Sequence, residues 1–313
     1  MNGTLKRTNG TSSFTTPSSS LLTNTSSSLW CASFAFVAFA IVAGNSLFLA
    51  AFFRNRFLQK QRNYLLVSLA CADILVGALA IPLFIFLVIV THIENSRLSN
   101  QVQLIFIAVD ISTGLTSMFT LTVIALERLY AISYPMNYRS VRKRAYFVLV
   151  LAPWAMAGLQ TVINIASNFI KVLVEFYTYS LAVWTSVSLF TILLSYIIVW
   201  IKIKSHILTS NKLFSPKGKR SSENERSLAV ALFIVTVLFV TTWLPLHIMN
   251  IIVNLNQTLL FPVSIHVVFF AKFLQYSNSF YNPIVYSLKI PEIKKSFKRL
   301  LWCFKNRVPE TRV

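Results

Sequence analysis

Seven long apolar segments, almost empty of charge, constrain this chain more than any other feature. They run Leu29–Phe53, Asn63–Val90, Gln101–Leu126, Ala145–Ile170, Phe176–Ile201, Ser227 to about Val253, and Phe261–Leu288. Crossing a bilayer takes roughly 20 consecutive apolar residues as helix, and a helix satisfies its own backbone hydrogen bonds in lipid. The segments hold few ionisable groups: Asp73 in the second, Asp110 in the third, His247 in the sixth, His266 and Lys272 in the seventh. The chain is 12% charged, about half the share of a soluble domain. The predicted fold is all-α and integral to the membrane: a seven-transmembrane helix bundle over 29–288, flanked by an arm, 1–28, and a tail, 289–313.

The net charge is +20. In a soluble protein that excess would indicate nucleic acid, but its distribution argues for a membrane and no nucleic acid. Connections 54–62, 127–144 and 202–226, with the tail, hold 24 of the 29 Lys and Arg; the other side holds only Lys6, Arg7, Arg97 and Lys171. The positive-inside bias predicts a plasma-membrane protein with its N-terminus extracellular and its C-terminus cytoplasmic, the basic loops facing anionic lipid heads. Glycosylation triplets agree, with Asn2, Asn9 and Asn24 in the arm and Asn256 in the last outer connection. The polar, Ser/Thr-rich arm has no early apolar core, so the first apolar segment is expected to act as its own signal anchor. Pro291–Trp302 reads as a short amphipathic eighth helix on the inner leaflet. Cys303 follows it, a candidate palmitoylation site or a plain thiol. With Cys31 and Cys71 in apolar segments, the cysteines form neither a disulfide framework nor a zinc spacing.

Short motifs recur in order along the segments: Gly44-Asn45; Leu69-Ala-Cys-Ala-Asp73; Glu127-Arg128-Leu129-Tyr130; Trp154; Tyr196; Thr242-Trp243-Leu-Pro245; and Asn282-Pro283-Ile-Val-Tyr286. Each is weak alone. Together, over 29–304, the chain resembles the rhodopsin-like (class A) G-protein-coupled receptors. It departs from them in three places. Gln103 and the outer loop before the fifth segment lack the cysteines of the usual extracellular disulfide, Ser188 replaces a proline, and the second outer loop is very short, about Ser167 to Glu175.

The resemblance implies an activation switch in which Arg128, beside Glu127, is locked to Glu225 at the cytosolic start of the sixth segment. Tyr196, Trp243, Pro245, Asn282, Pro283 and Tyr286 would complete it. The alternative is a pair of interfacial charges facing water. The resemblance also implies a sodium pocket of Asp73, Ser117, Asn278, Ser279 and Asn282, all oxygen donors and so suited to a hard cation. The alternative is a hydrated hydrogen-bond network. No other cofactor is expected.

For the ligand, two readings stay open. Asp110 lies 18 residues before Arg128, five helical turns and about 27 Å along the same face. It matches the carboxylate that holds a ligand ammonium in biogenic-amine receptors, with Tyr276 orienting it and Ser180 meeting ring hydroxyls. Lys272, one turn outward of Tyr276, is positioned to pair with Asp110 instead. By contrast, Trp243-Leu-Pro-Leu-His247-Ile-Met-Asn250 resembles adenosine receptors, where the histidine and asparagine line a nucleoside pocket; the alternative is that His247 and Asn250 are ordinary buried polar groups satisfied by their neighbours. Peptide and lipid ligands remain further alternatives. In opsins the retinal lysine stands seven residues before that proline, a position held here by Tyr276, whereas Lys272 stands 11 before Pro283, which argues against an opsin.

The implied partners are an extracellular small-molecule ligand and a heterotrimeric G protein. Arrestin would follow phosphorylation of inner-loop serines, and a PDZ domain would take the terminal Thr311-Arg-Val313. The competing classes are a membrane transporter, which needs a charged path, and a non-signalling scaffold. His92, His206, His247 and His266 lie in unrelated segments, so no hydrolase centre is expected and the chain is not read as an enzyme.

Overall fold

A computed structural model describes residues 24–94, 96, 99–210, 230, 233–234, 237–252, 264–289, 293–297 and 299. Its long helices are α1 (Asn24–Arg54), α2 (Tyr64–Ile93), α3 (Asn100–Ser133), α4 (Lys143–Ser167) and α5 (Val172–Ser210). They are followed by α6, described over Val237–Ile252, and α7 (Ile265–Lys289). The first five are each long and apolar enough to cross a membrane. A short helix, Pro135–Arg139, lies between α3 and α4.

The helices run past the apolar segments where polar side chains find cover. Glu127 and Arg128, beyond the expected end of the third segment, are buried inside α3. The connection between α4 and α5 is shorter than expected. Asn168 Nδ2 donates to the Asn164 carbonyl at 2.8 Å, closing α4, and α5 begins four residues later. A link of 168–171 is too short to fold over a pocket.

Pro82 cannot donate to the carbonyl four residues back, and α2 widens into a π turn at Val76–Ala80 just ahead of it. Within that turn Gly77 meets α1: a Cβ there would lie 2.9 Å from Val42 Cγ2 and 3.0 Å from the Ala38 carbonyl oxygen. Gly44 likewise admits Pro283, whose Cγ would be 2.9 Å from an added Cβ. Small residues let membrane helices approach closely, as van der Waals packing requires in lipid. Asn45 Nδ2 reinforces the α1–α7 contact by donating to the Ser279 carbonyl at 3.1 Å.

Two apolar cores result. An inner one gathers Phe48, Leu69, Met118, Ile124, Ile192, Phe239 and Trp243; an outer one gathers Phe34, Ile41, Ile81, Phe84, Phe269 and Tyr276. Large apolar side chains also point outward, among them Phe36, Phe39, Phe190 and Trp200. Such a surface suits lipid rather than water. Near the C-terminus 293–297 is helical, with Ile293 and Ser296 buried. Ser296 Oγ accepts from Asn55 Nδ2 at 2.8 Å. The remainder of the expected eighth helix, apart from 299, lies outside the described residues.

Candidate functional site

Between α3, α5, α6 and α7 lies a cavity of about 260 Å³. Five of the seven expected ligand residues line it: Asp110, Trp243, His247, Asn250 and Lys272. Its remaining wall is largely apolar, from Ile111, Leu115, Leu181, Leu246 and Ile251, the composition usual for small-molecule sites.

Asp110 is fully engaged from α7. Lys272 Nζ lies 2.6 Å from Asp110 Oδ2, and Tyr276 donates its hydroxyl to Oδ1 at 2.8 Å. The ammonium also donates to Gln275 Oε1 at 2.8 Å and sits 4.8 Å from the centre of the Tyr276 ring. Sequence reading missed Gln275, although its place three residues after Lys272 puts it on the same helical face. On the opposite wall His247 spans α6 to α5. Its Nδ1 is 3.1 Å from Thr185 Oγ1 and its Nε2 3.0 Å from Ser186 Oγ. Two hydroxyls, each able to donate or accept, suit a neutral imidazole in either tautomer.

Ser180 is a correction: it is absent from the cavity wall. Gln160 of α4 donates to its Oγ at 2.9 Å, and Ser180 donates to the Tyr177 carbonyl at 2.9 Å. The hydroxyl is used on the α4–α5 seam, where buried Gln160 needs a partner. Helical spacing alone did not reveal that Gln160 faces α5.

Beneath the cavity is a second void of about 10 Å³, bordered by Asp110, Ser117, Trp243, Asn278 and Ser279 among others. That is space for roughly one water-sized particle. Asp73, fully buried, lies alongside. Its Oδ1 accepts from Ser117 at 3.0 Å and Ser279 at 2.7 Å, and its Oδ2 from Asn282 Nδ2 at 2.7 Å. Three of the five expected pocket residues, Ser117, Asn278 and Ser279, border the void, and Asp73 and Asn282 join them through these hydrogen bonds. The amide oxygens of Asn278 and Asn282 are buried without a protein hydrogen-bond partner. An acid with two unused amide oxygens beside a water-sized void fits a hard cation such as sodium.

Toward the C-terminal end of α3, Glu127 and Arg128 are each 7% exposed, so neither faces open water. Arg128 Nε is 2.8 Å from Glu127 Oε2. Glu127 Oε1 accepts from Tyr138 at 2.6 Å and Tyr146 at 3.1 Å, two partners that sequence reading missed. Burial, and then the Glu127 carboxylate, push the Tyr138 phenol up, so it stays a donor at neutral pH. Glu225, the expected partner of Arg128, lies outside the described residues. Tyr196 is buried, its ring 6.5 Å from that of Phe233. Trp243 stacks obliquely on Phe239 at 5.4 Å. Pro245 lies in α6; Pro283 and the backbone of Tyr286 lie in α7, and the Tyr286 side chain falls outside the description. Asn24 opens α1 and is exposed. Asn2, Asn9, Asn256, Cys303, Thr311 and Val313 lie outside the described residues.

Membrane-length helices around a cavity, a buried acid below it and the buried Glu127–Arg128 pair at the far end of α3 define a multi-pass membrane protein. The sequence profile of the family described as "7 transmembrane receptor (rhodopsin family)" matches residues 44–286. Adenosine receptor A2b of Gallus gallus is 30% identical, over 85% of this chain and 86% of that protein. The QRFP-like peptide receptor of Branchiostoma floridae is 28% identical over 88% and 77%. Melatonin receptor type 1B-B of Danio rerio is 27% identical over 86% and 81%. The chain belongs to the rhodopsin family of seven-transmembrane receptors, whose members are receptors and not enzymes.

Proposed function

We propose that this receptor binds a small extracellular ligand without net charge in the α3–α5–α6–α7 cavity and activates a heterotrimeric G protein. The observation that carries the ligand class is the engagement of both Asp110 oxygens by Lys272 and Tyr276. A cationic ligand must displace the lysine and leave its ammonium unpaired in a poorly hydrated pocket, a cost of several kcal/mol. An uncharged ligand leaves the pair intact. His247 and Asn250 then supply hydrogen bonds, and the apolar wall supplies contact area. Within that class an adenosine-like nucleoside is favoured, since the pattern from Trp243 to Asn250 and the likeness to an adenosine receptor both support it. Biogenic amines are the second reading, on the placement of Asp110 and Tyr276.

The test is second-messenger output, cAMP and calcium, in cells challenged with adenosine and a panel of biogenic amines. Adenosine is expected to act on the wild type, and His247→Ala or Asn250→Ala to weaken it roughly tenfold or more, as lost buried hydrogen bonds do. An amine response that Asp110→Asn abolishes would transfer the site to amines.

Signalling on this reading runs from Trp243 past the Asp73 cluster to Arg128. Asp73, Ser117, Asn278, Ser279 and Asn282 would hold a sodium ion, which supplies only a positive charge for the buried acid. Sodium chloride, compared with N-methylglucamine chloride, is expected to raise the melting temperature of the purified receptor, and Asp73→Asn to abolish the difference. An equal shift in both proteins would remove the cation from this site. The proposed topology keeps the N-terminus, glycosylated at Asn2, Asn9 and Asn24, outside the plasma membrane. The cytoplasmic tail carries the amphipathic helix, a lipidated Cys303 and the Thr311–Val313 ligand for a PDZ domain. Arrestin would dock on the same face.

A further inference from the structure

We propose that Lys272 is the receptor's own ammonium ligand, a specificity residue that masks an assembled amine anchor and turns cationic ligands away. The inference rests on reading the cavity as the ligand site. Tyr276 holds Asp110 by Oδ1, leaving Oδ2 to a primary ammonium 2.6 Å away. The same ammonium takes Gln275 Oε1 at 2.8 Å and lies 4.8 Å from the centre of the Tyr276 ring. A carboxylate, an amide oxygen and an aromatic ring are the partners that any desolvated ammonium seeks. Here all three are given to one side chain of the chain itself.

Charge balance makes this a selectivity device. Asp110 is the one carboxylate of the cavity lining among the described residues, and Lys272 its one lysine or arginine. They are 16% and 11% exposed at the side chain, so water compensates little if either loses its partner. An incoming cation meets no net negative charge and can bind Asp110 only by stranding Lys272. Once the lysine ammonium is deleted, the penalty reverses. The same walls enclose an unpaired carboxylate, Tyr276 still orients it, and the vacated side-chain volume opens beside it. The wild-type receptor thus carries a complete ammonium site that its own α7 fills.

The experiment uses purified full-length receptor, with thermal melting and calorimetric titration. The probes are 2-phenylethylamine and its uncharged analogue 2-phenylethanol. The wild type is expected to show no preference for the amine. Lys272→Ala is expected to bind the amine roughly tenfold to a hundredfold tighter than the wild type does, with no comparable gain for the alcohol. The gain should vanish in Lys272→Ala/Asp110→Asn. Should the alanine variant fold poorly, Lys272→Gln, which retains a hydrogen-bonding group without charge, is expected to show the same gain. Folded Lys272 variants with wild-type amine affinity overturn the mask and leave the uncharged-ligand reading standing. A wild type that already binds the amine as tightly as the variants overturns both. A gain that persists without the Asp110 carboxylate places the amine elsewhere and overturns the mask.

Discussion

Arg128→Ala is expected to reach the cell surface in normal amount and to lose nucleotide exchange on its G protein by roughly thirtyfold or more, the loss typical when a central arginine leaves an interface. Folding should survive because the Glu127 carboxylate loses its ion pair at Oε2 but keeps two hydrogen bonds. Glu127 keeps its hydrogen bonds from Tyr138 at 2.6 Å and Tyr146 at 3.1 Å, both to Oε1. The guanidinium, by contrast, has a single side-chain ion pair among the described residues, to Glu127 Oε2 at 2.8 Å. That leaves most of its five donors to other partners, which on the proposed function include the G protein. Arg128→Lys should restore little, since a point charge does not reproduce a planar fork. The measurement is agonist-stimulated nucleotide exchange normalised to surface receptor. Full exchange by a surface-expressed Arg128→Ala would count decisively against the switch.

Gly77→Leu is expected to remove most receptor from the surface and to lower the melting temperature of what remains, whereas Gly158→Leu should do neither. Both glycines lie inside transmembrane helices, and both substitutions improve helix propensity by a few tenths to one kcal/mol. Their surroundings decide the outcome. A Cβ at Gly77 falls 2.9 Å from Val42 Cγ2, 3.0 Å from the Ala38 carbonyl oxygen and 3.0 Å from Ile41 Cγ2, whereas one at Gly158 meets nothing within 4 Å. A backbone oxygen and two β-branched side chains yield little, and overpacking costs about 1–3 kcal/mol even for smaller intrusions. Separating α1 from α2 there would also disturb the nearby α1–α7 contact at Gly44 and Asn45. Equal melting temperatures for the two variants would show that the α1–α2 approach is not needed for stability.

Some of this was written along the chain because it depends on local or statistical properties. Apolar runs of bilayer length mark the helices, since lipid admits no unsatisfied backbone. Helical periodicity placed Asp110 and Arg128 on one face, and the spacing from Lys272 to Tyr276 put both on one face of α7, where both reach Asp110. Ser117, Asn278, Ser279 and Asn282 were nameable beside Asp73 from motif order, and three of them, Ser117, Ser279 and Asn282, donate hydrogen bonds to its carboxylate.

The use each polar group makes of its neighbours was not readable. Ser180 had the right helix and height for a ligand contact, but Gln160 on α4 claims it. Tyr138 and Tyr146 carry no motif that ties them to Glu127; only the turn at Pro135–Arg139 and the packing of α4 on α3 bring them there. Whether Lys272 reaches Asp110 was a matter of a few ångströms of side-chain reach, and the two groups pair at 2.6 Å. The sequence by itself determined which segments enter the membrane and which residues are buried there, because burial in lipid is a property of each segment's own composition. The tertiary structure alone decided who pairs with whom, because in a low-dielectric interior a charge or hydroxyl is governed by whichever partner lies within hydrogen-bond reach, and those partners come from other helices.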